Sequence, residues 1–89
     1  MEQKELSFGR NLFLGRKGED VRVLQEILIK EGVWERPDIE PTGFFGPITK
    51  RAVIKYQEKY ASEILAPLGL TKGTGFVGPM TRKHLEKRI

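Results

Sequence analysis

Bond-making chemistry needs a nucleophile, an acid–base pair or a metal, and this chain offers little for any of them. Its 89 residues hold two Ser, two Asp, one His and no Cys. General acid–base work needs groups placed together and tuned in pKa, and no motif joins Ser7, Ser62, Asp20, Asp38 and His84. No phosphate-loop, zinc-protease or nucleophile-elbow pattern occurs. His84 has no second His and no Cys with which to hold a metal, so it reads as a packed or half-exposed structural residue. The missing Cys also excludes a disulfide scaffold and a thiolate nucleophile. No catalysis, cofactor or metal is expected.

Non-covalent recognition is better served. Arg22 and Arg51 could hold carboxylates by charge-assisted hydrogen bonds, against the plain reading of solvated helix charges. Asp20 is a further polar candidate, against its ordinary place as an acid in a helix first turn. Gln25 and Gln57 lie beside apolar stripes, where a buried amide must be hydrogen-bonded; they read as clamps on a neighbouring loop or as ligand contacts. Trp34 and Phe45 are the aromatics expected to be partly exposed and able to stack on a ring, while Phe44 is expected in the core with Phe76. Gly43 and Gly46 could let a ligand approach the backbone, and Thr49 adds a hydroxyl close by.

Charge points the same way without choosing a ligand. The net charge is +4, split as 0 over residues 1–32, −2 over 33–49 and +6 over 50–89. A basic C-terminal part can steer nucleic acid, acidic membranes or acidic wall polymers.

The elements that must position these residues come from a repeat. Thr42–Val53 recurs as Thr74–Leu85 at an offset of 32, with six of 12 positions identical and the basic pair after Thr49 kept in type. The same offset takes Val21, Leu24, Gln25 and Leu28 onto Val53, Tyr56, Gln57 and Tyr60. Three segments therefore share one frame, the third truncated. In each full copy Thr-Gly-Phe makes a turn into a short extended piece, with Gly43 and Gly75 free to take positive φ. Gly-Pro then opens a helix, Pro at the first position losing no needed N–H.

Spacing predicts helices over Glu19–Glu31, Pro47 to about Ala61 (with Ser62–Ala66 as an extension stopped by Pro67), and Pro79 to about Lys87. Gly32 suits the residue just past the first helix. Met80, His84 and Leu85 form the inward side of the last. Val33–Pro41 reads as an exposed polar loop. The fold class is all-α: a small three-helix bundle built from an imperfect repeat, with short extended turn segments. The length fits one domain, with residues 1–13 as an N-terminal arm and lead-in, frayed over Met1–Ser7, and 14–89 as the packed unit. Apolar runs reach only three residues, where a membrane span needs about 20. Met1–Glu5 lacks the apolar stretch of a signal peptide.

Gly15-Arg16-Lys17-Gly18-Glu19-Asp20-Val21 through Leu24-Gln25, Thr42-Gly43-Phe44-Phe45-Gly46-Pro47-Ile48-Thr49, Ala52-Val53 through Tyr56-Gln57, and Thr74-Gly75-Phe76-Val77-Gly78-Pro79-Met80-Thr81 with Leu85 closely resemble the peptidoglycan-binding domain type 1 family. Tyr56 stands where the family pattern has Phe. The resemblance runs from about Gly15 to Leu85 and implies a three-helix (PGBD-like) module that binds peptidoglycan non-covalently. It implies a shallow groove between the first two helices and the Thr42–Pro47 turn, holding stem peptide or glycan. The implied setting is an exported one, cell wall or periplasm, with the signal outside this chain. A cell-wall hydrolase domain is the implied partner, and monomer the default state. Two rivals remain: a nucleic-acid-binding module using Thr81, Arg82 and Lys83 at the start of its last helix, and a protein-docking module like the propeptides that share this fold, whose inhibitory Cys is absent here.

Overall fold

The computed structural model describes residues 8–89; Met1–Ser7, read above as a frayed arm, lie outside the described residues. Helix α1 spans Glu19–Lys30 and carries Glu19 and Asp20 in its first turn, where the helix dipole favours acids. Its end is sealed by Gly32 at φ 76°. Gly32 N–H donates to Ile29 O at 3.0 Å and Val33 N–H to Leu28 O at 3.1 Å, the paired bonds of a Schellman cap, with Val33 and Leu28 both buried.

Helix α2 spans Pro47–Lys59 and α4 spans Pro79–Glu86, each with Pro at its start after an extended Gly. Between them α3, Ala61–Ile64, is a single turn, followed by a 3-10 turn over Ala66–Leu68. The expected continuation of the second helix to Ala61 fails at Tyr60, whose backbone (φ −113°, ψ 41°) leaves the helical region. The break lets the Tyr60 hydroxyl reach Glu31 at the end of α1. The all-α expectation holds, as three principal helices and one single-turn helix among the described residues.

The core gathers one stripe from each principal helix: Val21, Leu24 and Leu28 from α1, Val53 and Tyr56 from α2, Leu85 from α4. Met80 is only half-buried, and His84 is buried as a structural residue. His84 Nδ1 lies 2.6 Å from the Tyr56 hydroxyl and its Nε2 2.6 Å from Glu63. Burial pushes the Tyr56 phenol well above its ordinary value, so it stays protonated.

The lead-in contributes to this core. Phe8 and Leu12 are buried. Leu12 exchanges backbone hydrogen bonds with Val77 at 3.1 and 2.8 Å, and Arg82 donates to Phe8 O at 3.0 Å. A few residues later Gly15 N–H donates to Phe45 O and Phe45 N–H to Arg16 O, both at 2.9 Å. One stretch of chain, turning at Leu14–Gly15, thus ties both repeat turns together. Leu12→Ala is expected to destabilise the fold by about 2–5 kcal/mol; urea unfolding checks it, and a loss below about 0.5 kcal/mol would return residues 8–13 to the status of an arm.

Glu31 joins the ends of the bundle, paired with Lys59 at 3.2 Å and Arg88 at 3.3 Å besides Tyr60. The Tyr60 hydroxyl first, then Lys59 and Arg88, hold its carboxyl below the ordinary 4.5 against the opposing effect of burial. A depressed folded pKa gives stability that is present above the unfolded value and lost as pH falls through the folded one. The advantage of the native protein over Glu31→Gln in melting temperature should therefore shrink below pH 4.5. A difference constant across that range would contradict it.

Candidate functional site

The repeat turns are built around two glutamines. Gln25 Oε1 accepts from the N–H groups of Thr42 and Gly43 at 2.8 and 2.9 Å, and its Nε2 donates to Phe44 O and Thr49 Oγ1, both at 3.0 Å. Gln57 repeats the pattern: Thr74 and Gly75 N–H at 2.8 and 3.0 Å, Phe76 O at 2.9 Å and Thr81 Oγ1 at 3.1 Å. Every donor and acceptor of each amide is engaged. Gln25, Gln57 and Thr49 are buried, and these bonds make them clamps on the repeat turns. Gly43 sits at φ 84°, and a Cβ there would lie 3.3 Å from the Gly18 carbonyl oxygen. That oxygen belongs to the strand partner of the turn, since Gly18 N–H donates to Gly43 O at 2.9 Å.

The two aromatics of the first turn have exchanged places relative to expectation. Phe45 is 0 % exposed, while Phe44 is 48 % and its repeat partner Phe76 42 % exposed. The cause is the pairing of Phe45 with Gly15 and Arg16. Successive side chains of extended backbone point to opposite faces, and the lead-in pins the register so that Phe45 and Val77 enter the core. Phe44 then lies beside Gly46, where a Cβ would come 3.3 Å from its ring. Gly46 serves the turn by leaving that space.

Trp34 supplies a further wall. Its indole N–H donates to Ile39 O at 2.9 Å, folding the Val33–Pro41 loop onto the start of α2. The half-buried Trp34 ring, Ile39, Phe44, Pro47 and Ile48 then enclose a groove of about 230 Å³ with Gln25 and Thr49 beneath.

Of the ten sequence-predicted site residues, the groove brings together Gln25, Trp34, Gly46 and Thr49. Gly43 shapes the adjoining turn, and Gln57 serves the second repeat. Asp20 is held by Arg10 at 2.9 and 3.1 Å, and this guanidinium keeps its carboxyl below the usual carboxylate range. Arg22 bridges Glu19 and Glu26 at 2.7 and 2.8 Å. Arg51 pairs with Glu35 at 3.1 Å. Asp20, Arg22 and Arg51 therefore stand outside the groove. Sequence reasoning missed Phe44, Ile39 and Ile48 as walls. Period-two alternation shows that Phe44 and Phe45 point apart, but two identical side chains do not tell which one points in.

Aromatic and aliphatic walls around a few fixed polar atoms suit stacking and shape-based recognition. Among the described residues no group of three or more His, Cys, Asp or Glu is placed to hold a metal ion, and no helix is long and apolar enough to cross a membrane. Residues 17–85 match the family described as "Putative peptidoglycan binding domain". The chain belongs to this family. Among solved structures, this peptidoglycan binding domain is similar to the N-terminal domain of SleB. The two share 29 % identity with a TM-score of 0.72, over 93 % of this chain and 97 % of that one. No curated protein matches it.

Proposed function

We propose that this domain binds peptidoglycan without cleaving it, through the groove between the Trp34 loop and the start of α2, and brings an attached or partner cell-wall enzyme to its substrate. Membership of the family supports the ligand class. The observation that carries the location is the pair of aromatics, Trp34 and Phe44, lining one groove together with an amide that is already saturated. A pyranose or a stem-peptide side chain enters the groove and makes van der Waals contact with these rings without displacing any internal hydrogen bond. The setting proposed is the cell wall or periplasm, with the domain acting as a monomer. A single shallow groove binds weakly, and tethering to an enzyme or crowding on the polymer raises the effective affinity.

The nucleic-acid reading gains no comparable support. Arg82, one of the cations at the start of α4, is turned back to hold Phe8 O, and Arg22 and Arg51 are paired with carboxylates. Sedimentation with purified insoluble sacculi at low salt tests the proposal. The native domain is expected in the pellet, and Trp34→Ala is expected to weaken apparent affinity by about tenfold, the loss of one aromatic anchor. A native domain left in the supernatant, or a folded Trp34→Ala that pellets equally well, would sink it.

A further inference from the structure

The two repeats build the same hollow twice. The offset of 32 carries Thr42, Phe44, Pro47 and Ile48 of the first groove onto Thr74, Phe76, Pro79 and Met80, which line a second groove above the Gln57–Thr81 clamp. The second is the larger, about 400 Å³ against about 230 Å³. Its far wall differs. Where the first has the Trp34 loop, the second has Leu65, Leu68 and Leu70 from the irregular run after α3. No charged side chain lines it among the described residues.

Its apolar surface is in contact with water. Leu68 is 54 % and Leu70 39 % exposed, and clustered exposed apolar side chains mark interaction sites. Phe76 is backed by Phe13, with ring centroids 5.6 Å apart and planes 14° apart, and the Arg16 guanidinium lies 4.4 Å from the Phe13 centroid. The backbone pairing of Leu12 with Val77 holds the two rings in register. The result is a braced aromatic surface beside an uncharged cleft, with a cationic donor at its far end.

We infer that this second groove holds glycan: an uncharged N-acetylated amino-sugar ring lies against Phe76, with its acetamido methyl among Leu68, Leu70 and Met80. The inference rests on the reading that the domain binds peptidoglycan, and deepens it. A stem-peptide carboxylate would lose its water here without meeting a charged partner, which is costly; an N-acetyl sugar has no ionised group to desolvate, so its burial costs much less. The wall polymer repeats along its strand, and two grooves related by one internal repeat match a ligand that presents like units in succession. Two engaged grooves also give one strand more than the affinity of either.

A soluble N-acetylglucosamine tetramer, which carries no stem peptide, is the probe. Titrated into the domain with labelled methyl groups, it is expected to shift the Leu65, Leu68, Leu70 and Met80 signals. Leu68→Asp, at an exposed position, should abolish those shifts with the remaining spectrum unchanged, and weaken sacculus binding at least about tenfold through lost bivalency. Phe76→Ala is the second variant, with the same expectation. Sacculi that bind the native domain while the tetramer leaves these methyls unmoved would overturn the glycan inference alone. So would methyls perturbed only by addition of a separate cell-wall hydrolase domain. Failure of the native domain to bind sacculi would overturn the underlying reading instead.

Discussion

Gln57→Ala is expected to destabilise the domain by about 3–5 kcal/mol, and Gln25→Ala by slightly less. Truncation leaves two backbone N–H groups, one carbonyl and one threonine hydroxyl without their partner. Each buried polar group left unmade costs about 1–3 kcal/mol. Water can reach part of the turn and recovers some of this, because Thr42 and Thr74 are exposed. Gly75 is buried whereas Gly43 is half-exposed, which is why the second clamp is the costlier one to break. Gln57→Leu separates the hydrogen bonds from the packing. It keeps the volume and should lose nearly as much as Gln57→Ala. Urea unfolding with an unchanged m-value is the measurement. A loss under about 1 kcal/mol for either truncation would mean that the turns hold themselves without the amides. Total stability of small domains is about 5–15 kcal/mol, so the double variant is expected to be largely unfolded.

Phe45→Ala and Phe44→Ala, adjacent in sequence, are expected to fail in opposite ways. Phe45 is fully enclosed, and removing a buried Phe costs about 3–5 kcal/mol. Phe44 lies half in water beside Gly46, so its removal should change stability by less than about 1 kcal/mol. It is also a wall of the groove, so sacculus binding should fall by about tenfold. Melting curves and sedimentation on the same two variants give four numbers. Equal melting temperatures for the two variants would contradict the register that the lead-in imposes.

These two predictions concern features of unequal legibility in the sequence. The glutamine clamps were readable because they repeat at one offset beside apolar stripes, and a buried amide leaves few alternatives. The helix starts at Pro47 and Pro79, and the end of α1 at Gly32, were readable because capping is local chemistry. The register of Phe44 and Phe45 was not, because it is set by backbone pairing with Gly15 and Arg16, about thirty residues away. Other long-range contacts, of Leu12 with Val77 and of Phe8 with Arg82, hid the part that these two residues play in the core. The loop from Val33 to Pro41 read as exposed polar chain, since no periodicity reveals that Trp34 hydrogen-bonds to Ile39 and so turns a loop into a wall. The end of α2 at Lys59 was also hidden. Nothing near Tyr60 breaks a helix, and the gain that offsets the break lies on α1 at Glu31. Arg22 and Arg51 were judged by type alone, and type does not show that Glu19, Glu26 and Glu35 already occupy them.

The central claim is that peptidoglycan is held between the Trp34 loop and the first repeat turn. Amide and indole chemical-shift mapping with soluble muropeptides tests it most directly, because it reports binding and location together. The predicted result is a saturable shift of the Trp34 indole N–H and of the Ile39, Phe44 and Ile48 amides. Shifts confined to Arg22, Lys83 and Lys87, or no saturable shift at all, would contradict it.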